Sequence, residues 1–374
     1  MRSEDPQSSV PQPSSRVLFV SSNGAGMGHI TRLLAIANRT SDAVEPVFLS
    51  MSQSVPAVAD HGYAWDYCPS QKTLGISSGL WNPFFAERFD ETLERVAPAA
   101  VVFDGTSPYQ GIVAAARRRT GTRYVWSRRG MWRPGSQTRY FPPAGTFDLV
   151  IEPGEAAAEY DKGPTAALTD AVRVPPVTLL GEDDMLPRDR ARAELGIDQD
   201  TYAVLLTLGA GNINDTRSDT EVFAEAARAE FPGATVYATR SPIAAASTAA
   251  SHVTPISVYP LARALKAFDV VVAAAGYNVF HEALLARVPT VFVPNTSTTT
   301  DDQEARSRFA QDRGLGAYAV SPDVPTARAA LRRAVDTLTG APPAWEGTPG
   351  PTNGAVGAVR AVEALLGLSD EVVS

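Results

Sequence analysis

Residues 273–303 read AAAGYNVFHEALLARVPTVFVPNTSTTTDDQ, and two turns of one repeating device lie within them. The apolar run ending at Ala274 is a buried strand, Gly276 lets the chain turn, and Tyr277–Ala286 has the length and spacing of a helix. A second strand, Thr290–Val293, leads into a polar loop that ends in Asp301, Asp302 and Gln303, where another helix begins. Strand, turn, helix and strand make the unit of a parallel sheet covered by helices. The start of the first helix can face a diphosphate with free N–H groups and the positive end of its dipole. Glu282, about two turns in, can accept both hydroxyls of a ribose, or it is an ordinary solvent-facing acid beside His281. Asp302 and Gln303 can grip sugar hydroxyls, or cap the helix that starts there.

The same alternation runs outward from this stretch. Toward the N-terminus the strands are Arg16–Ser21, Pro46–Met51, Ala64–Cys68, Ala99–Phe103, Arg123–Ser127 and Phe147–Ile151, with helices at Ile30–Asn38, Val55–Asp60, Asn82–Val96 and Tyr109–Arg119. The pattern lapses over Val172–Pro187, which carries Pro175, Pro176, Pro187 and an acidic run, and this reads as a linker. It then restarts with strands at Tyr202–Leu208, Ala234–Ala238, Val253–Val258 and Val270–Ala274. Helices are expected at Asp219–Glu230, Leu261–Phe268, Asp302–Gln311, Thr326–Leu338 and, after a Pro- and Gly-rich loop at 340–350, Asn353–Leu366. The expected fold class is α/β, with two Rossmann-like doubly wound parallel-sheet domains facing a cleft. The expected division is a disordered tail over 1–15, a first domain over 16–172, a linker over 173–187, a second domain over 188–350 and a terminal helix over 351–368 that packs back on the first domain.

Composition bounds the function. The chain has 374 residues, 44% of them hydrophobic and 20% charged, which suits two globular domains. A formal net charge of -8 argues against nucleic acid as a partner. Cys68 is the one cysteine and there are four histidines, so neither a disulfide framework nor a His- or Cys-rich metal site is expected. The first residues, Met1–Ser15, hold no apolar run, and no stretch approaches the ~18 apolar residues of a membrane span. The expected compartment is the cytoplasm.

Further candidates lie at the ends of other strands. Asn23-Gly24-Ala25-Gly26-Met27-Gly28-His29 follows the first strand; it lets a ligand approach the helix start, or it is a tight turn closed by a helix-capping His. Asp104 ends a wholly apolar strand, as the N-cap of the next helix or as a carboxylate orienting His29, whose other ring nitrogen would then be free to take a proton. Gly209-Ala210-Gly211-Asn212 ends the first strand of the second half and can wrap phosphate oxygens with backbone N–H groups. Trp126–Arg133, continuing to Arg139-Tyr140-Phe141, is basic and aromatic within an acidic protein. It reads as a surface loop with snorkelling arginines, as an acceptor site in which Arg128 and Arg129 pair with an anion, or as a contact with a membrane surface. Leu80, Trp81, Phe84 and Phe85 are core or acceptor pocket.

Taken together these motifs resemble the glycosyltransferases of the GT-B fold, most nearly the group holding the peptidoglycan N-acetylglucosaminyltransferase (family 28) and the UDP-glycosyltransferase family. The family's H-G-G-x-N-x-x-x-E pattern lies over Ala274 to Glu282 and keeps Gly276, Asn278 and Glu282, while its D-Q pair lies over Asp302 and Gln303. The resemblance implies that Glu282 holds the donor ribose, Gly276 and Asn278 the diphosphate region, and Asp302 and Gln303 the transferred sugar. It places the acceptor-activating His on His29, its orienting Asp on Asp104, and the acceptor beside Gly26 and Met27. Two departures stand out. The family's phosphate-contacting His or basic residue is Ala274 here, so phosphate binding would lean on backbone N–H groups at Gly211, Asn212 and the helix start. The aromatic that stacks on the base in many plant members is Val258, so the base would be held by backbone and apolar contact near Val258 and Leu261.

The function so implied is inverting transfer from an NDP-sugar, a UDP-hexose or UDP-N-acetylhexosamine, to the hydroxyl of a cell-envelope polymer or lipid-linked acceptor at the inner face of the membrane. No cofactor or metal is implied: the acidic pairs Asp183-Asp184 and Asp301-Asp302 are adjacent, unlike the D-x-D of the other main glycosyltransferase fold. Alternatives are a secondary-metabolite glycosyltransferase, a UDP-sugar 2-epimerase of the same fold, a non-catalytic sugar-nucleotide-binding protein and an NAD-linked dehydrogenase. The last lacks a proper glycine fingerprint and a ribose-binding acid after the second strand.

Overall fold

The computed structural model describes residues 15–22, 27–118, 120–209, 217–239, 252–339 and 353–368. The tail expected over 1–15 and the loop at 340–350 lie outside them, save Ser15, which already belongs to a strand. Gly26, Gly211 and Asn212 also lie outside the described residues.

The first sheet holds β1 (Ser15–Ser21), β2 (Val44–Ser50), β3 (Ala64–Tyr67), β4 (Ala100–Asp104), β5 (Arg123–Ser127), β6 (Leu149–Pro153) and β7 (Val172–Val174), in the order β3-β2-β1-β4-β5-β6-β7. The second holds β8 (Ala203–Thr207), β9 (Thr235–Thr239), β10 (Thr254–Ile256), β11 (Val270–Ala274), β12 (Thr290–Val293) and β13 (Ala317–Tyr318), in the order β10-β9-β8-β11-β12-β13. Every pairing is parallel. The helices are α1 (Gly28–Ala37), α2 (Gln71–Leu74), α3 (Ser78–Val96), α4 (Gln110–Arg118), α5 (Arg188–Leu195), α6 (Arg217–Glu230), α7 (Tyr277–Ala286), α8 (Gln303–Asp312), α9 (Val324–Thr339) and α10 (Gly354–Leu365). No helix among the described residues is long and apolar enough to cross a membrane.

Central strands of such sheets are covered on both faces and so read as unbroken apolar runs. In β1, Val17 and Phe19 enter one core while Leu18 and Val20 enter the other; in β4, Ala100 and Val102 join the first and Val101 and Phe103 the second. The second sheet repeats this with Val204, Leu206, Val270 and Val272 on one face and Ala203, Leu205, Val271 and Ala273 on the other. The short elements β7, β13, α2 and α5 are additions to the sequence reading. β13 spans two residues and β7 three, too few to show a period. Because β7 pairs with β6, the chain leaves the first sheet only after Val174, inside the stretch expected to be linker. The helices expected near Val55–Asp60 and Leu261–Phe268 wind as 3-10 helix, over Val55–His61 and Leu261–Ala267.

Strand order reverses between β1 and β4 in the first sheet and between β8 and β11 in the second. Such switch points open a crevice at the strands' carboxyl ends, where ligands sit in open α/β sheets. His29 follows β1 and Asp104 ends β4; Gly276 follows β11.

The halves interlock. Although last in the described chain, α10 packs on α1, β6 and β7 of the first half. Its N-cap Asn353 accepts from Ala355 N at 3.0 Å and donates to Thr178 O at 2.7 Å, and Glu363 accepts from Ser41 N at 2.8 Å. Conversely Met131 and Ala157 of the first half complete an apolar cluster with Ala275, Phe280, Phe292 and Phe309 of the second. Gly354 starts α10 so close to the chain that a Cβ there would stand 1.8 Å from Pro175 O. A backbone carbonyl cannot swing aside, so Gly354→Ala is expected to cost about 1–3 kcal/mol and to loosen α10. Urea unfolding measures the first and proteolysis near residue 353 the second; an unchanged midpoint would contradict the tight approach.

Candidate active site

The first half's site is built on Asp104, 1% exposed at the end of β4. A carboxylate taken out of water must be fully hydrogen-bonded or paired. Here Oδ1 accepts from His29 Nδ1 at 2.6 Å and from Arg32 Nη2 at 2.5 Å, and Oδ2 accepts from Arg32 Nε at 3.0 Å and from Ser127 Oγ at 2.7 Å. Burial alone would raise the Asp104 pKa; Arg32 and His29 outweigh it and hold the group well below the usual carboxylate range. An ionised Asp104 fixes the proton of His29 on Nδ1, so the 2.9 Å approach of Arg32 Nη2 to that nitrogen is a contact rather than a hydrogen bond. Nε2 is left with its lone pair. The His29 side chain keeps 21% exposure. Burial lowers its pKa most, Asp104 opposes this, and the charges of Arg32 and Arg129 lower it further, with the net direction downward. A neutral imidazole able to accept a proton is the result. The sequence reading did not include Arg32; its signal was the helical i, i+3 spacing from His29.

The second half meets this site at α7. Gly276 is the N-cap, no side chain caps the helix, and its first turn holds no acid, so an anion there would meet free N–H groups. Asn278 Nδ2 donates to Gly28 O at 3.3 Å, tying the start of α7 to the start of α1, while buried Asn278 Oδ1 has no partner among the described residues. Tyr277 Oη donates to Gly154 O and accepts from Val177 N, both at 2.9 Å, and its ring lies 5.2 Å from the Arg32 guanidinium and 5.9 Å from that of Arg306. His281 is structural: Nδ1 donates to Tyr277 O at 2.7 Å and Nε2 accepts from Ala156 N at 3.1 Å.

Glu282 is not the solvent-facing acid of the alternative reading: it is 6% exposed, and burial pushes its pKa up to about 7. Its charge is felt by Tyr259, in the loop that carries half-buried Val258 and leads to Leu261. Asp302 caps α8, accepting from Ala305 N at 3.1 Å. Gln303, 7% exposed, accepts from Asn295 N at 2.9 Å and donates to Asp301 Oδ2 at 3.0 Å.

The basic, aromatic stretch differs from the expectation of a surface loop with snorkelling arginines. Arg128 is 1% exposed, pairs with both oxygens of Asp170 at 3.0 and 2.6 Å, and lies over Trp126 and Phe141. Arg129 donates to Asp301 Oδ1 of the second half at 2.7 Å. Neither arginine is a snorkelling surface residue: carboxylates distant in sequence, Asp170 and Asp301, pair with them. In the second apolar stretch, Trp81 and Phe85 are core, whereas Leu80 is 67% and Phe84 37% exposed.

No protein-family model and no curated protein matches the chain. Solved structures do. The glycotransferase of kitacinnamycin superposes with a TM-score of 0.63 at 15% identity, over 95% of this chain and 100% of that one. The spinosyn forosaminyltransferase SpnP gives 0.62 at 17% identity over 94% and 99%, and MurG of Acinetobacter baumannii 0.54 at 16% over 93% and 99%. The fold is therefore that of the GT-B glycosyltransferases.

Glu282 supplies a test of the site's energetics. Its folded pKa of about 7 exceeds the ordinary 4.5, so its contribution to stability is full below 4.5 and is lost as pH rises through 7. Removing the charge should recover it: Glu282→Gln is expected to be more stable near pH 8, by at most about 3 kcal/mol, with the gain fading near pH 4.5. Urea melts at the two pH values measure this; an equal effect at both would show that the charge is already compensated.

Proposed function

We propose that the protein is an inverting glycosyltransferase that moves a sugar from an NDP-sugar to an acceptor hydroxyl. One observation carries the reading: the His29–Asp104 pair at one sheet's switch point stands opposite the uncapped start of α7 at the other's, the two joined by Asn278 and Gly28. The GT-B fold supports it.

In this reading the acceptor enters the first half beside Gly26 and Met27 and places its hydroxyl on His29 Nε2. His29 takes the proton as the oxygen attacks the anomeric carbon, the bond to the diphosphate breaks, and the electron pair leaves with the nucleoside diphosphate. Asp104 stabilises the imidazolium as it forms. Gly276, Asn278, Gly211 and Asn212 hold the diphosphate, so the departing charge meets backbone N–H groups and the α7 dipole in place of a metal. Glu282 accepts from the ribose, Val258 and Leu261 border the base, and Asp302 and Gln303 face the transferred sugar. The nucleoside diphosphate is a co-substrate, and no other cofactor enters. The exposed Leu80 and Phe84 suit an acceptor with an apolar part, lipid-linked or a secondary metabolite.

His29→Ala is expected to lower kcat about 10²–10⁴-fold with UDP and dTDP affinity, read by calorimetry, near that of the native protein. Retention of most activity would remove His29 as the base. Because its pKa lies below 6.5, the native rate should climb with pH on a limb centred below 6.5 and stay level above it; a limb centred above 7 would point to another base. Product analysis with donor alone separates transfer from epimerisation.

A further inference from the structure

We propose that Arg129 is a positioning residue for the transferred sugar, acting across the cleft through Asp301 on the amide of Gln303. The inference rests on the donor-site reading above, which places Gln303 at the sugar.

The segment after β5 lies as a strap over the loop between β12 and α8. Arg133 N donates to Thr300 O at 2.7 Å, Asp302 N donates to Met131 O at 3.0 Å, and Trp132 and Asp301 form an antiparallel bridge. Met131 adopts φ 57°, a left-handed conformation that a side chain other than glycine takes only when its surroundings enforce it. That turn sends its side chain, wholly buried, into the second half's apolar cluster. The strap is thus anchored by packing and backbone hydrogen bonds, and Arg129 is not needed to hold it.

What Arg129 does contact is one oxygen of one carboxylate. Asp301 Oδ1 takes Arg129 Nη1 at 2.7 Å and Arg306 Nη1 at 2.6 Å, which leaves Oδ2 to take Gln303 Nε2 at 3.0 Å. With Asn295 N on Gln303 Oε1, the amide is oriented at both ends. Gln303 Nε2 stands 3.9 Å from where a Cβ on Gly276 would lie, so this amide overlooks the start of α7. It retains one N–H and one lone pair for a ligand. A guanidinium from the acceptor half therefore sets the direction of a donor-half amide, and the sugar's hydroxyl pattern is read only when the halves are in register.

The test compares UDP and dTDP with their hexose conjugates by calorimetry, on native protein, Arg129→Ala and Arg129→Lys. A hydrogen bond to a charged group is worth about a tenfold change or more. The expectation is that Arg129→Ala weakens the NDP-hexose about tenfold while the bare diphosphate stays within twofold, and that Arg129→Lys recovers part of the loss. Equal weakening of both ligands would make Arg129 merely structural or a phosphate contact and would overturn the inference, as would an unchanged hexose conjugate. If native protein binds a diphosphate, the donor-site reading survives either of those results; if it binds neither, both readings fall together.

Discussion

Arg306, buried without exposure on α8, is gripped by carboxylates from both halves: Glu155 of the first takes Nε at 3.0–3.1 Å and Nη2 at 2.5 Å, and Asp301 of the second takes Nη1 at 2.6 Å. Burial works against the arginine's charge, and the two carboxylates more than restore it. Such a group tolerates no vacancy, since an unpaired buried charge costs about 3–5 kcal/mol. The distance between the two sheets is therefore not left to a flexible linker. Tyr277, held by Gly154 and Val177, and His281, held by Ala156, fix the start of α7 against the same wall. The opposition of His29 and α7 follows from this clasp.

The same logic recurs around Asp104, where the charge of Arg32 offsets that of a buried carboxylate that also accepts from His29 and Ser127. The arrangement separates two tasks: Arg32 supplies the compensating charge, and His29 remains neutral with an open Nε2. Around His29 the cations come from the first half, Arg32 from α1 and Arg129 from the strap.

What the sequence disclosed and withheld divides along physical lines. Strands buried on both faces announce themselves as apolar runs, so the central strands of both sheets and the residues at their carboxyl ends were legible: His29, Asp104 and Glu282 stand where turn and strand end imply. The edge strands β13 and β7, of two and three residues, carry no such signal. Side-chain pairings were illegible for a different reason. Arg128 and Asp170 are 42 residues apart in the chain, Arg129 and Asp301 172, and Glu155 and Arg306 151; no local pattern encodes them. A basic run in an acidic protein thus suggested solvent or an anionic ligand, although its partners were carboxylates of the same molecule. Asp302 was open between sugar contact and helix cap; it caps α8, and a sugar role would have to use the atoms that cap leaves free.

The crossing of Met131 into one core and of α10 onto the other has a consequence for how this scaffold can be recombined. In sheet terms the molecule is two units, but in packing terms neither unit is closed within a single run of chain. A chimera cut between β7 and β8 would carry a second half whose Phe280–Phe292–Phe309 cluster lacks its Met131 plug and a first half whose α1 lacks its cover. Exchange of the first sheet between proteins of this fold would have to move the strap and the terminal helix with it, or leave two apolar surfaces open to association.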